Sequence, residues 1–177
     1  MPPGPQLVLE LVNSRDVESG SDDLAEPAAV GRWLTEKRLV TGDVHVRPAD
    51  RDRLVTLREA LRALLLANHD RIGDPESLAE VNRLAAAVPL VVALEGPGAG
   101  RLDPVGRGVD AAIGRVVGAV YSSMADGTWA RLKACRSDTC QWGFYDYSRN
   151  QSRNWCAMAV CGNRAKARAY RRREHDR

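Results

Sequence analysis

The stretch Cys135-Arg-Ser-Asp-Thr-Cys140-Gln-Trp-Gly-Phe-Tyr-Asp-Tyr-Ser-Arg-Asn-Gln-Ser-Arg-Asn-Trp-Cys156-Ala-Met-Ala-Val-Cys161 holds all four cysteines of a 177-residue chain, as two x4 pairs separated by fifteen residues. Two cysteines a few residues apart bring both sulfurs to one ion while the intervening turn aims its amides at them. Two such knuckles complete a tetrahedral thiolate shell. Zn–S distances of about 2.3 Å leave no position for water in that shell, so one structural Zn²⁺ held by Cys135, Cys140, Cys156 and Cys161 is the leading reading. The alternatives are disulfides, a redox dithiol and a four-thiolate iron–sulfur cluster. Disulfides need export, and the N-terminus carries no basic leader pattern; redox pairs usually have the tighter x2 spacing.

Between the pairs, Trp142, Phe144, Tyr145 and Tyr147 place four aromatics within six residues, and Trp155 adds a fifth. So small a region needs metal plus aromatics for a core, and Trp142, Phe144 and Trp155 are expected to supply it. Trp142 and Phe144 alternate with Tyr145 and Tyr147 as the two faces of a strand, and an exposed tyrosine there would stack on bases. Asp146, Ser148 and Asn150 read as turn and network residues.

After Cys161 the chain becomes rich in Ala and Arg, a good helix former. Gly162 is read as letting the backbone approach the sulfur, and Asn163 as the N-cap. Arg164, Arg168, Arg171, Arg172 and His175 then share one helical face, flanked by Lys166 and Arg173. With Arg153, the residues Arg164, Lys166, Arg168, Arg171 and Arg172 are the candidate contacts to nucleic acid, mostly to phosphate. The competing role for Arg153, Arg164 and Lys166 is neutralising a thiolate site of formal charge about −2. For the outer arginines it is an acidic protein surface.

Outward from this stretch the charge changes sign. Residues 131–177 carry twelve basic and four acidic side chains, a net +8, whereas residues 1–130 carry fourteen and nineteen, a net −5. The two parts are expected to face different partners. In the front part Leu7 to Asn13 is a short apolar run that periodicity assigns to neither helix nor strand. Pro27 opens a helix with Val30, Trp33 and Leu34 on one face, ending near Val40. Pro48 opens another, with Leu54, Leu57, Leu61, Leu64 and Leu65 inward. Asp74-Pro75 is an N-cap pair ahead of Leu78, Val81, Leu84, Ala85 and Val88, a helix stopped by Pro89. Leu90 to Leu94 and Leu102 to Val105 flank a glycine-rich turn, a hairpin. Ile113, Val116, Val117, Val120, Tyr121 and Met124 define a last helix. The fold class is therefore mainly α: four helices and a short β-hairpin in residues 1–130, then a four-cysteine zinc finger with a C-terminal basic helix in residues 131–177.

Cys140-Gln-Trp142-Gly-Phe144-Tyr-Asp146-Tyr-Ser148, Ser152-Arg153-Asn154-Trp155-Cys156-Ala-Met158 and Cys161-Gly162-Asn163-Arg164-Ala-Lys166 resemble the CGNR-type zinc finger, named for its last tetrapeptide. The front part is similar, more loosely, to the ABATE domain that accompanies such fingers, through Leu9-Glu-Leu-Val-Asn13-Ser and Pro27…Trp33-Leu34. The resemblance implies a stress-related bacterial transcription regulator that binds DNA. Asn154 stands where the family usually has a second Arg, removing one possible phosphate contact.

Nucleotide-loop, metalloprotease and serine-hydrolase motifs are absent, so no enzyme is expected. Asp22 and Asp23 read as helix-dipole partners, and His45 and His69 as surface residues. No apolar run approaches the roughly 20 residues of a membrane-spanning helix. The expectation is a cytoplasmic DNA-binding protein whose front part senses a small molecule or forms a homodimer. A protein-interaction module with a purely structural zinc and an RNA binder using Tyr145 and Tyr147 are the alternatives.

Overall fold

Proline stands first in each of the first four helices, where its fixed φ suits the first turn and its missing N–H leaves no bond unmade. The computed structural model describes residues 3–97 and 99–175. In it α1 spans Pro3–Val12, α2 Pro27–Glu36, α3 Pro48–Ala67, α4 Pro75–Ala86 and α5 Gly108–Ala125. A hairpin of β1 (Leu90–Gly96) and β2 (Ala99–Pro104) precedes α5, and a second of β3 (Leu132–Ala134) and β4 (Gly143–Tyr145) follows it. A π-turn at Met158–Gly162 runs into α6, Asn163–His175. The described architecture is mainly α, with no helix long and apolar enough to cross a membrane.

The undecided run from Leu7 is helical, so the front part has five helices rather than four. Val8, Leu11 and Val12 are fully buried against α3 and α5, and this burial, which a run of seven residues cannot reveal, decides the matter. Other boundaries shift. Helix α2 stops at Glu36 because Arg38 takes a left-handed φ of 56°, and α4 ends at Ala86, ahead of Pro89. Asp74 caps α4 as expected, accepting from the Ser77 amide at 3.1 Å. Leu78, Tyr121 and Met124, which periodicity puts on buried faces, are exposed. Helix α5 buries its small residues instead: a Cβ at Gly114 would lie 2.7 Å from Pro104, so glycine there lets the β1–β2 hairpin sit directly on the helix.

The second hairpin is not a separate layer. Leu132 and Ala134 belong to the same buried cluster as Leu11, Leu61 and Ile113, and Tyr145 packs against it. The β3–β4 hairpin thus begins the cysteine region while completing the core beneath it.

Candidate metal centre

The base of the site is fixed from the front part. The Asn13 side chain grips Gly143 twice, donating to its carbonyl at 3.0 Å and accepting from its amide at 2.7 Å. A side chain at Gly143 would collide with Leu9 and Asn13, so glycine permits this approach. Arg62, itself buried, donates to the carbonyls of Val12 and Gln141. Asn68 donates to Trp129 and Leu132, and the His69 ring meets the Ala134 carbonyl at 2.6 Å. His69 is therefore a half-buried joint rather than a surface residue, and burial pushes its pKa down. Asp22 likewise has another role than a helix-dipole partner: it accepts both terminal nitrogens of the buried Arg58, at 2.6 and 2.9 Å.

From Ala134 the chain steps directly to Cys135. The Cys135 amide donates to Trp142 at 2.9 Å and that of Cys140 to Ser137 at 2.8 Å, closing the first knuckle. Burial pushes the Cys135 thiol up, but the amides of Cys156 and Ser137 aimed at its sulfur bring it below its ordinary value. Asp146 ties the second knuckle to the hairpin. One carboxylate oxygen accepts from the Ser148 amide and hydroxyl, the other from Lys133 Nζ at 3.0 Å and the Arg153 amide at 2.9 Å. The Arg136 amide also donates to Asn154 at 3.1 Å, and the π-turn then delivers Cys161 opposite Cys135 and Cys140.

All four sulfurs lie within 4.8 Å of one another, with Cys140 to Cys156 at 3.6 Å and Cys156 to Cys161 at 3.8 Å. A tetrahedron with Zn–S bonds of about 2.3 Å has edges of about 3.8 Å, whereas a disulfide requires about 2.05 Å. The cysteines are unbridged, and three of the four are buried. Burial and crowding by its neighbours push the Cys161 thiol up to about 11 and Cys156 higher still. A dication reverses that preference, because thiolates crowded against one another become ligands. The residues present fit a closed, four-thiolate zinc.

Around the cluster the basic residues divide. The Arg153 guanidinium donates to the Trp155 carbonyl at 3.0 Å, reaches that of Cys156, and lies 5.3 Å above the Phe144 ring, clamping the knuckle. Arg164 donates to Glu18 of the front part at 2.6 Å. Arg168, Arg171 and Arg172, with Trp155, Ala165 and Asp138, line an outward groove of about 500 Å³. Lys166 is exposed beside them, while the side chains of Arg173 and His175 lie outside those described.

Residues 6–127 match the family model ABATE, described as "Putative stress-induced transcription regulator". The chain belongs to the ABATE family. Residues 131–174 match the CGNR zinc finger, and with the sulfur geometry this makes Cys135, Cys140, Cys156 and Cys161 a single structural zinc site. No curated protein matches the chain.

Within the CGNR finger several expected roles change. Phe144 is buried and Trp155 packs on the sulfurs as foreseen, but Trp142 is 38% exposed and faces a groove shared with Leu9, Asn13 and Trp33 of the ABATE segment. The hairpin borrows its core from that segment, so Trp142 is not needed to make one. Asn163 is no N-cap: it lies within continuous helical backbone and donates to the Ala159 carbonyl at 3.0 Å. Gly162 makes room for the Met158 sulfur and the Trp155 ring, not for a cysteine sulfur. Tyr145 is partly committed to the core, 4.7 Å between centroids from the exposed Tyr147. Lys133, Arg62, Asn68 and Asn13 belong to the support of the site although no local pattern marks the last three. Lys133 carried one signal, a lysine between two apolar residues in a strand.

Proposed function

We propose that this ABATE-family regulator binds duplex DNA through the face of α6 that bears Arg168, Arg171 and Arg172. The observation that carries this reading is the outward groove lined by Arg168, Arg171 and Arg172 together with Trp155, on a helix that continues from the π-turn bearing Cys161. Guanidiniums on a fixed helix suit phosphate oxygens, which position a protein on a duplex, while base contacts specify sequence. Lys166 supplements them. Arg153 and Arg164 serve chiefly as struts, because their guanidiniums already hold carbonyls and Glu18. In this role the protein is a cytoplasmic regulator rather than an enzyme.

The test is the salt dependence of binding to mixed duplex fragments, followed by fluorescence anisotropy of the zinc-loaded protein. Replacing Arg168, Arg171 and Arg172 together with Ala is expected to weaken binding on every duplex and to flatten the log–log salt slope by about 0.9 per lost contact. Arg153→Ala is expected to loosen zinc while leaving the slope nearly intact. An unchanged slope in the triple variant would reassign the groove to an acidic protein partner. A second reading rests on Tyr147, 66% exposed over Tyr145: stacking on single-stranded RNA, which the same titration with RNA checks.

A further inference from the structure

The β1–β2 hairpin has a free edge. It is a two-stranded sheet, so each strand has one partner. On its far side β2 faces α1 and α5 across a groove lined by Pro3, Leu7 and Ser122. Among the described residues no third strand pairs with β1, and its Val91, Val92 and Leu94 are 50%, 69% and 83% exposed.

The register identifies the free backbone groups. The Val105 amide donates to the Pro89 carbonyl at 3.0 Å, which makes this a hydrogen-bonded position. Antiparallel ladders alternate, so the bonded pairs along the hairpin are Val91 with Asp103 and Ala93 with Arg101. Pro104, which has no N–H to give, stands opposite Leu90 at a non-bonded position, as this alternation requires. The N–H and C=O groups of Leu90, Val92 and Leu94 consequently point away from β2.

Natural edge strands are usually guarded by lysine, proline or a bulge. Leu90-Val-Val-Ala-Leu-Glu-Gly96 has neither lysine nor proline, and its register shift comes only after Leu94. We propose that β1 pairs antiparallel with β1 of a second copy of the chain, about a two-fold axis through Val92, giving a four-stranded sheet across a homodimer. In that register Val92 faces its own copy and Leu90 faces Leu94 of the other, so every outward amide and carbonyl of these residues is matched. An interface of this kind is self-complementary, as two-fold dimers require.

The charges agree. Arg101 pairs within the hairpin with both Glu95 and, at 2.7 Å, Asp103, and Glu95 would face the uncharged Pro89 of the second copy, so no like charges meet directly across the seam. The exposed Val92 and Leu94 side chains lie on the α5 side of the sheet with Leu90. Tyr121, two turns along α5 from Gly114, is also exposed, at 60%.

The test is the mass in solution of the zinc-loaded full chain, by light scattering across a concentration series. The native chain is expected to reach twice its monomer mass. Val92→Lys and Val92→Glu, at a position exposed in the monomer, are each expected to remain monomeric where the native chain is dimeric, because like charges then face each other across the axis. An equimolar mixture of the two is expected to regain the dimer. Leu94→Lys is a second variant expected to be monomeric, with circular dichroism and zinc content unchanged throughout. A native monomer at every concentration overturns the proposal, as does a dimer that survives both Val92→Lys and Val92→Glu. Failure of the mixture to reassociate overturns the two-fold at Val92.

Discussion

At the level of single residues, Lys133 and Asp146 dominate the finger. Both are buried, at 2% and 0% side-chain exposure, and their ion pair is supported by Ser148 and the Arg153 amide. A buried pair adds little net stability over apolar packing, but removing one partner strands the other charge. Asp146→Ala is expected to cost about 3–5 kcal/mol in urea unfolding, because Lys133 then has no counter-charge. Although burial opposes it, hydrogen bonds from Ser148, Lys133 and Arg153 hold the Asp146 carboxyl down at about 2. Its folded value lies below the unfolded value of about 3.9, so its contribution is fully present above pH 4 and is lost as pH falls toward 2. That contribution is roughly 2–3 kcal/mol, and an acid titration of stability should show it in the native chain and not in Asp146→Asn. The network role of Asp146 was legible, since short oxygen-bearing side chains in turns bond nearby amides. Its partner was not: Lys133 counts among the cations of a basic tail until strand pairing turns it inward.

At the level of elements, α6 and the hairpin depend on different supports. Helix α6 is thirteen residues of mostly Ala and Arg that continue directly from the π-turn bearing Cys161. A helix of this length is marginal alone in water, and its contact through Arg164 and Glu18 is exposed at both ends. Removing zinc with a chelator, or Cys161→Ser, is expected to melt α6 and the second knuckle only. Far-UV circular dichroism should lose no more than those thirteen helical residues, while α1 to α5 persist. A larger loss would mean that the metal also supports the ABATE helices. The strongly periodic helices were legible because leucines at 3.6-residue spacing admit one buried face. Helix α1 was not, since its run is short and nearly every apolar position in it is buried by a different neighbour.

For the whole molecule, the question is whether the two families of sequence unfold as one body. Leu132 and Ala134 sit in the front core, and Asn13, Arg62, Asn68 and His69 bond the hairpin across 64 to 130 residues of chain. Asn13→Ala is expected to destabilise helices and hairpin together by about 1–3 kcal/mol, since it leaves both polar groups of Gly143 unpaired. Tryptophan fluorescence and far-UV circular dichroism should then report one shared urea transition for the zinc-loaded chain. Two separated transitions would show that the hairpin folds with the finger alone. By itself the sequence determined the zinc ligands, the amphipathic helices and the placing of positive charge at the C-terminal end, because each is written in local spacing: thiols in pairs, leucines at helical period, arginines in a run. Only the tertiary structure decided which arginines point outward, which polar residues became joints and where the cysteine region takes its core. Those outcomes depend on burial and on hydrogen bonds between residues far apart in the chain, which no local pattern encodes.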